Sequence, residues 1–223
     1  MNDESCKTHH DSRFLIHASF SLLTKSIYKL IKHNARAFLF CYNYAMSSKH
    51  IISSTKEYTS PWFWVEKETI KYPSGIERDY YIVNTQHPFV GIVAFYKDKL
   101  IVQRQWRPVI KDWLWELPFG GVEEEETLEQ AIKRELLEET GYQANTITKI
   151  GSSYAAIGFT TAKGHIFTTQ DLTYMPEKAE NNPSEIIEVH LKTKAEFESM
   201  IADGMIQDAP TLAAWSMYKA KIK

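Results

Sequence analysis

Residues 120–142 constrain this chain more than any other stretch. Two glycines and a valine run into four consecutive glutamates, then into a helix signal that ends at a third glycine. Thr127-Leu-Glu-Gln130 has capping-box spacing, in which the threonine hydroxyl takes the backbone N–H of Gln130 and the glutamine side chain takes that of Thr127. Gly141 stands where a left-handed C-terminal cap belongs. Between these signals Leu128, Ala131, Ile132 and Leu136 share one side of the predicted helix, which therefore turns to a core. Glu135, Glu138 and Glu139, at i, i+3 and i+4, share the opposite side.

Three carboxylates at that spacing repel one another. A divalent cation removes the penalty, and such ligands suit a magnesium site that keeps waters and shares substrate phosphates. Arg134, beside the cluster, can orient one carboxylate through paired hydrogen bonds. The plain alternative is a solvated acidic helix face. That alternative leaves the glycine loop, the arginine and the glycine cap unexplained.

The rest of the chain narrows the chemistry by exclusion. Both cysteines, Cys6 and Cys41, lie in the first fifth of the 223 residues, so a disulfide framework or thiol nucleophile in the body is excluded and a cytoplasmic setting is expected. The eight histidines show no HxxxH or HExxH spacing, which leaves oxygen ligands and a hard cation such as Mg2+ or Mn2+. A formal charge of -2 gives no sign of a polyanion-binding surface, so nucleic acid is not expected as a partner. No run of about 18 apolar residues occurs, and no stable membrane insertion is expected. The absence of GxxxxGK[ST] argues against a P-loop enzyme.

Residues 1–56 are locally basic, with eight Lys/Arg against three acids. Between Phe14 and Met46, Leu22, Leu23, Ile27, Leu30 and Ile31 interleave with Lys25, Lys29 and Lys32, a pattern compatible with a basic amphipathic helix. Three readings stay open: a transit-like or membrane-surface segment, an accessory helix, or a non-native extension upstream of a start at Met46. The domain plan is a basic extension over 1–56, flexible or helical, followed by one catalytic domain over 57–223.

Within that domain, 62–70 and 78–83 read as strands joined by the Pro73-Ser74-Gly75 turn signal, an N-terminal antiparallel hairpin. Strands are predicted over 90–96 and 100–106, with Lys97-Asp98-Lys99 as the turn, and over 113–117, 146–152, 165–169 and 186–191. A second capping box, Thr193-Lys-Ala-Glu196, opens a helix with Phe197, Met200 and Ile201 inward and Gly204 at its end. Asp208-Ala-Pro210 opens a last one through Tyr218. The expected class is α/β (α+β), a mixed β-sheet sandwiched between helices.

The residues of the central stretch match the Nudix box, G-x5-E-x7-R-E-U-x-E-E-x-G-U, with U usually aliphatic. Gly120, Glu126, Arg134, Glu135, Leu136, Glu138, Glu139 and Gly141 fall in place, and only Tyr142 departs. The chain thus resembles the Nudix hydrolases, which implies the Nudix fold and a loop-helix-loop that binds divalent metal, with Glu135, Glu138 and Glu139 as ligands and Arg134 as their orienting partner. From about Trp62 onward, Pro73-Ser-Gly75, Gln103-Arg-Gln-Trp-Arg107-Pro108 and Glu116-Leu-Pro-Phe-Gly120 resemble the ADP-ribose/nucleotide-sugar pyrophosphatase branch.

Members of that branch are typically homodimers whose N-terminal strands reach over the partner's active site. By that similarity Trp62 and Tyr80 stack on the nucleobase and Arg107 binds phosphate, with Glu116, Phe119 and Gly120 completing the substrate site. For the two aromatics, ordinary strand packing is the alternative. Arg104 and Arg107 project to opposite faces of a regular strand, so at most one faces the phosphates without a bulge.

Hydrolysis of a diphosphate needs charge neutralisation, an aligned water and a base. The branch usually draws the base, or a further metal ligand, from a late-loop glutamate. Glu185 matches that place, with Glu177, Glu180 and Glu188 as rivals and Glu139 as the fallback base. The expected activity is cleavage of a nucleotide sugar, first of all ADP-ribose to AMP and ribose 5-phosphate. Ile157 occupies a position where many ADP-ribose hydrolases carry proline, which leaves GDP-mannose and UDP-glucose open. A catalytically silent nucleotide-sensing Nudix domain is the alternative from another class.

Overall fold

A computed structural model describes residues 50–180 and 186–221. Twelve strands and three α-helices are present among the described residues. The chain begins with β1 (Ile51–Thr59), β2 (Phe63–Lys71) and β3 (Glu77–Thr85), followed by β4 (Phe89–Tyr96), β5 (Lys99–Arg107), β6 (Asp112–Glu116) and β7 (Phe119–Gly121). Helix α1 (Leu128–Thr140) leads into β8 (Tyr142–Ala144), β9 (Thr148–Tyr154), β10 (Lys163–Thr169) and β11 (Leu172–Tyr174). After a 3-10 turn (Pro176–Lys178) come β12 (Ile187–Lys192), α2 (Lys194–Ala202) and α3 (Ala209–Lys221).

The chain divides into two compact units. Among the described residues, the smaller comprises Thr69–Arg78 with residues 50–53. Its turn is closed by hydrogen bonds from Tyr72 N–H to Ile76 O and from Gly75 N–H to Tyr72 O, both 2.8 Å, and by a Lys71–Glu77 ion pair at 2.8 Å. The larger unit takes Ser54–Glu68 and everything from Asp79 onward, and it holds the chemistry described below.

The first three strands lie in the order β1-β2-β3. Residues 51–56, which the sequence pattern groups with the basic extension, belong to β1 and are a strand. The reason the pattern misses it is physical: all nine residues of β1 are exposed, so no apolar alternation marks a buried face. The expected hairpin is thus two strands of a three-stranded sheet. The amphipathic reading of residues 14–46 lies outside the described residues.

The main sheet runs β12-β5-β4-β10-β9, with β6 against β5 and β7 against β4. The β4–β10 pair is parallel, aligning Ile92 with Phe167, while β5 meets β12, β4 and β6 antiparallel, so the sheet is mixed. Its strands are apolar at successive positions because both faces are covered. Val90, Ile92, Ala94, Ile101 and Phe167 face Ala131, Ile132 and Leu136 of α1. Val93, Phe95, Leu100 and Val102 face Phe197 and Met200 of α2 and Trp215 and Tyr218 of α3. The sandwich of helices around a mixed sheet agrees with the sequence expectation.

The caps form as their residues dictate. Thr127 N–H donates to Gln130 Oε1 at 2.9 Å and Gln130 N–H to Thr127 Oγ1 at 3.2 Å. Thr193 and Glu196 repeat the arrangement at α2. Lys97 and Asp98 both take positive φ, 49° and 63°, the form that closes a two-residue hairpin between twisted strands. At the other end of α1, Gly141 has φ 72° and donates to Leu137 O at 2.8 Å. A Cβ there would sit 3.0 Å from Pro176 Cα. Gly141→Ala is therefore expected to lower stability by about 1–2 kcal/mol, the cost of left-handed backbone for an L-residue. Denaturant unfolding checks this, and an unchanged midpoint at constant slope would show that the cap carries no strain.

Candidate active site

Helix α1 turns its apolar stripe to the sheet, which leaves Arg134, Glu135, Glu138 and Glu139 on its other side. Arg134 is the hub. Its Nε and Nη2 donate to the two oxygens of Glu126 at 3.0 and 2.9 Å, a paired contact. Nη1 lies 2.9 Å from Glu135 Oε1 and 3.0 Å from Glu138 Oε2, and Nη2 also reaches Gly121 O at 3.0 Å. The cluster raises the Arg134 pKa above its usual value, chiefly through Glu126. In return, the hydrogen bonds from Arg134 hold the Glu126 carboxyl below the ordinary carboxylate range. The carboxylate that Arg134 grips in paired fashion is thus Glu126 from the loop before α1.

Gly120 has a second reason to be glycine. A Cβ at this position would fall on the carboxyl group of Glu135, so that side chain lies directly over the β7 backbone. Glu139 is held separately: buried Gln103, on β5, donates its Nε2–H to Glu139 Oε2 at 2.9 Å. The three box carboxylates are therefore arranged in two settings, Glu135 and Glu138 on Arg134 and Glu139 on Gln103. Among the described residues, no three His, Cys, Asp or Glu side chains stand close enough together to hold an ion as placed. In chemical kind the set still fits a hard divalent cation, being all carboxylate oxygen over a glycine backbone that admits close approach.

A cleft of about 300 Å³ lies alongside, lined by Phe89, Arg107, Glu116, Phe119, Gly120, Ala155, Ala162, Asp208 and Pro210. Four of the predicted substrate-site residues, Arg107, Glu116, Phe119 and Gly120, meet here. Arg107 and Glu116 form a bidentate pair, Nε to Oε1 at 2.9 Å and Nη2 to Oε2. Glu116 is buried, and its carboxylate holds the Arg107 pKa above the usual value. Arg104 points away from the cleft, stacked 4.9 Å over Trp113 and 3.4 Å from Glu188, so the alternation of a regular strand separates the two arginines.

The other predicted residues lie outside the cleft lining. Trp62, just before β2, is 76% exposed, and its carbonyl accepts from Gln86 N–H at 3.4 Å. Tyr80, on β3, is 37% exposed. Ile157 is 84% exposed on the loop between Ala155 and Ala162, and that loop is fastened to β3 by Val83 N–H to Phe159 O, 2.8 Å, and Thr161 N–H to Val83 O, 3.1 Å. Glu185 lies outside the described residues. Of its rivals, Glu188 is paired with Arg104, and Glu180 donates its backbone N–H to Glu138 O at 2.8 Å, beside the C-terminal end of α1. The sequence pattern assigns no part in the site to Gln103, Asp208 or Phe89. For Gln103 a signal is available, a polar residue inside the apolar strand predicted over 100–106.

The family model for the NUDIX domain matches residues 85–214. The chain belongs to the Nudix family and is a Nudix hydrolase. It is 32% identical over 149 residues to an ADP-ribose pyrophosphatase of Bacillus subtilis (strain 168), covering 66% of this chain and 80% of that one. It is 33% identical over 96 residues to a GDP-mannose pyrophosphatase of Yersinia enterocolitica, covering 42% of this chain and 49% of the relative. In fold it is similar to a crystal structure of ADP compounds hydrolase, with a TM-score of 0.70 at 23% identity over 77% of this chain and 92% of that one.

Proposed function

We propose that this protein is a metal-dependent pyrophosphohydrolase of nucleoside diphosphate sugars that cleaves ADP-ribose to AMP and ribose 5-phosphate. The observation that carries the reading is the carboxylate helix, organised by Arg134, next to a cleft floored by Arg107, Glu116, Phe119 and Gly120. The 32% identity to an ADP-ribose pyrophosphatase supports the choice of substrate.

In the proposed reaction, water attacks one phosphorus of the diphosphate, the bridging P–O bond breaks, and each product keeps one phosphate. When bound, Mg2+ or Mn2+ supplies charge neutralisation for the diphosphate in the transition state. Glu135, Glu138 and Glu139 would hold it. Arg134 keeps Glu135 and Glu138 turned to one side of α1, and Arg107 lies where it can pair with a phosphate oxygen. Glu185 takes the proton of the attacking water, with Glu139 as the second candidate. The homodimer of the branch and a cytoplasmic setting belong to the same proposal. No described helix is long and apolar enough to cross a membrane.

A second reading is favoured by one observation, the 33% identity to a GDP-mannose pyrophosphatase over 96 residues. A panel of ADP-ribose, GDP-mannose and UDP-glucose with detection of the released phosphomonoester separates the two. ADP-ribose is expected to give the highest kcat/KM, and a strong preference for GDP-mannose transfers the assignment to the second reading. In the same assay Trp62→Ala and Tyr80→Ala are each expected to raise KM by the equivalent of about 1–3 kcal/mol, the range for a base stacked on an aromatic. Their kcat should hold, because stacking is felt equally in ground and transition states. Unchanged KM in both variants removes the aromatics from the site.

A further inference from the structure

Gln103 is an amide in a place built for apolar side chains. It sits on central strand β5, 1% exposed, between Ile101 and Val102 on one side and Gln105 on the other, and the first two are fully buried. Burying an amide costs free energy unless its polar atoms find partners. A valine or isoleucine there would fill the sheet without that cost, so the amide has to be explained by what it bonds. Its Nε2 donates to Glu139 Oε2 at 2.9 Å, across 36 residues of sequence and from sheet to helix.

The consequence for Glu139 is geometric. A carboxylate on a half-buried helix face still samples several rotamers when unanchored, and ordering it costs side-chain entropy at the moment it is used. An amide donor fixed in the sheet occupies one oxygen and orients the other. Glu116, aligned with Gln103 across the β5–β6 pair, places the Arg107–Glu116 ion pair on the same stretch of strand, and the Arg107 guanidinium is within electrostatic reach of Glu139.

We infer that Gln103 is the positioning residue for Glu139: it donates a hydrogen bond to one carboxylate oxygen and so presents the other to the cation and the attacking water. This rests on the proposed metal-dependent hydrolysis. Gln103 touches neither substrate nor reacting atoms, and it acts through Glu139. Groups that orient a metal-binding carboxylate typically carry about 10–100-fold of metal affinity or activity.

The test uses the full-length protein and two variants. Gln103→Met keeps the length and removes the donor, and Gln103→Glu keeps the shape and sets a like charge against Glu139. Mn2+ affinity is read by electron paramagnetic resonance without substrate, and kcat and KM are read with ADP-ribose at saturating Mg2+. Thermal unfolding in EDTA reports on the fold. In Gln103→Met, Mn2+ Kd is expected to rise about 10-fold or more and kcat to fall about 10–100-fold, with KM near the wild-type value. Gln103→Glu is expected to lose at least as much in both readouts, and it decides the matter should the Met variant fail to fold.

Wild-type Mn2+ affinity and kcat in a folded variant overturn the inference and reduce Gln103 to a sheet-to-helix packing bond, leaving the hydrolase reading intact. A wild-type protein that binds no Mn2+ and turns over in EDTA overturns both. The two failures are distinguished by the wild-type arm alone.

Discussion

Chelation with EDTA is expected to abolish turnover, and added Mg2+ or Mn2+ to restore it. Cleaving a phosphoanhydride accumulates negative charge on oxygens that already carry it. Against that charge the described cleft lining offers Arg107, itself matched by buried Glu116, with Asp208 also on the wall. Under the proposed reading these groups leave the diphosphate short of positive charge, while α1 brings three carboxylates beside the cleft. A bound cation reconciles the two. Glu138→Gln and Glu139→Gln, which keep size and shape but remove one negative charge each, are expected to lower kcat by about 10²-fold or more. Circular dichroism should show the fold unchanged, since Glu138 is only partly buried and both glutamates are replaced by isosteres. Full activity in EDTA, or wild-type rates in both variants, would end the metal assignment of this helix face.

Much of this arrangement can be read from the chain because it is local. Thr127, Gln130 and Gly141 specify the limits of α1 through bonds among residues three or four apart, and the glutamate spacing then places the carboxylates on one face. The same holds for Thr193 at α2 and for the Lys97–Asp98 turn. What escapes depends on partners distant in sequence or on faces that carry no pattern. Strand β1 is exposed throughout and shows no alternation, and β7, β8 and β11 are three residues each, too short to show a period. Gln103 and Glu139 meet only because the sheet that carries β5 packs under α1, a fact of topology that no spacing rule contains. For Arg134 the spacing implies one oriented carboxylate. The folded chain gives it three within 3.0 Å, with Glu126 returning from the preceding loop, eight residues earlier in the chain.

That convergence makes Arg134→Met the second large effect. The substitution keeps the aliphatic stem and deletes the guanidinium that Glu126, Glu135, Glu138 and the Gly121 carbonyl all hold at 2.9 to 3.0 Å. Hydrogen bonds to charged groups contribute roughly 1.5–3 kcal/mol each. They are not additive, and the Arg134 side chain is 24% exposed, so solvent screens part of the loss. A net destabilisation of about 2–4 kcal/mol in EDTA at neutral pH is expected, below the full cost of breaking a buried pair. Turnover with Mg2+ should fall by about 10²-fold, as the carboxylates proposed to hold the metal lose their orientation.

The pH dependence gives an independent check with a definite sign. In the wild type, Arg134 holds the Glu126 carboxyl below its unfolded value, so its stabilisation is complete above the unfolded pKa and is lost as pH falls through the lowered folded one. In the variant that contribution is gone, and the uncompensated carboxylates repel, which favours taking up a proton. Mild acidification should therefore relieve the variant while it weakens the wild type. Thermal midpoints measured in EDTA from pH 7 downward are expected to converge through the carboxylate range. Parallel curves, or equal midpoints at pH 7, would mean that Arg134 does not organise the cluster.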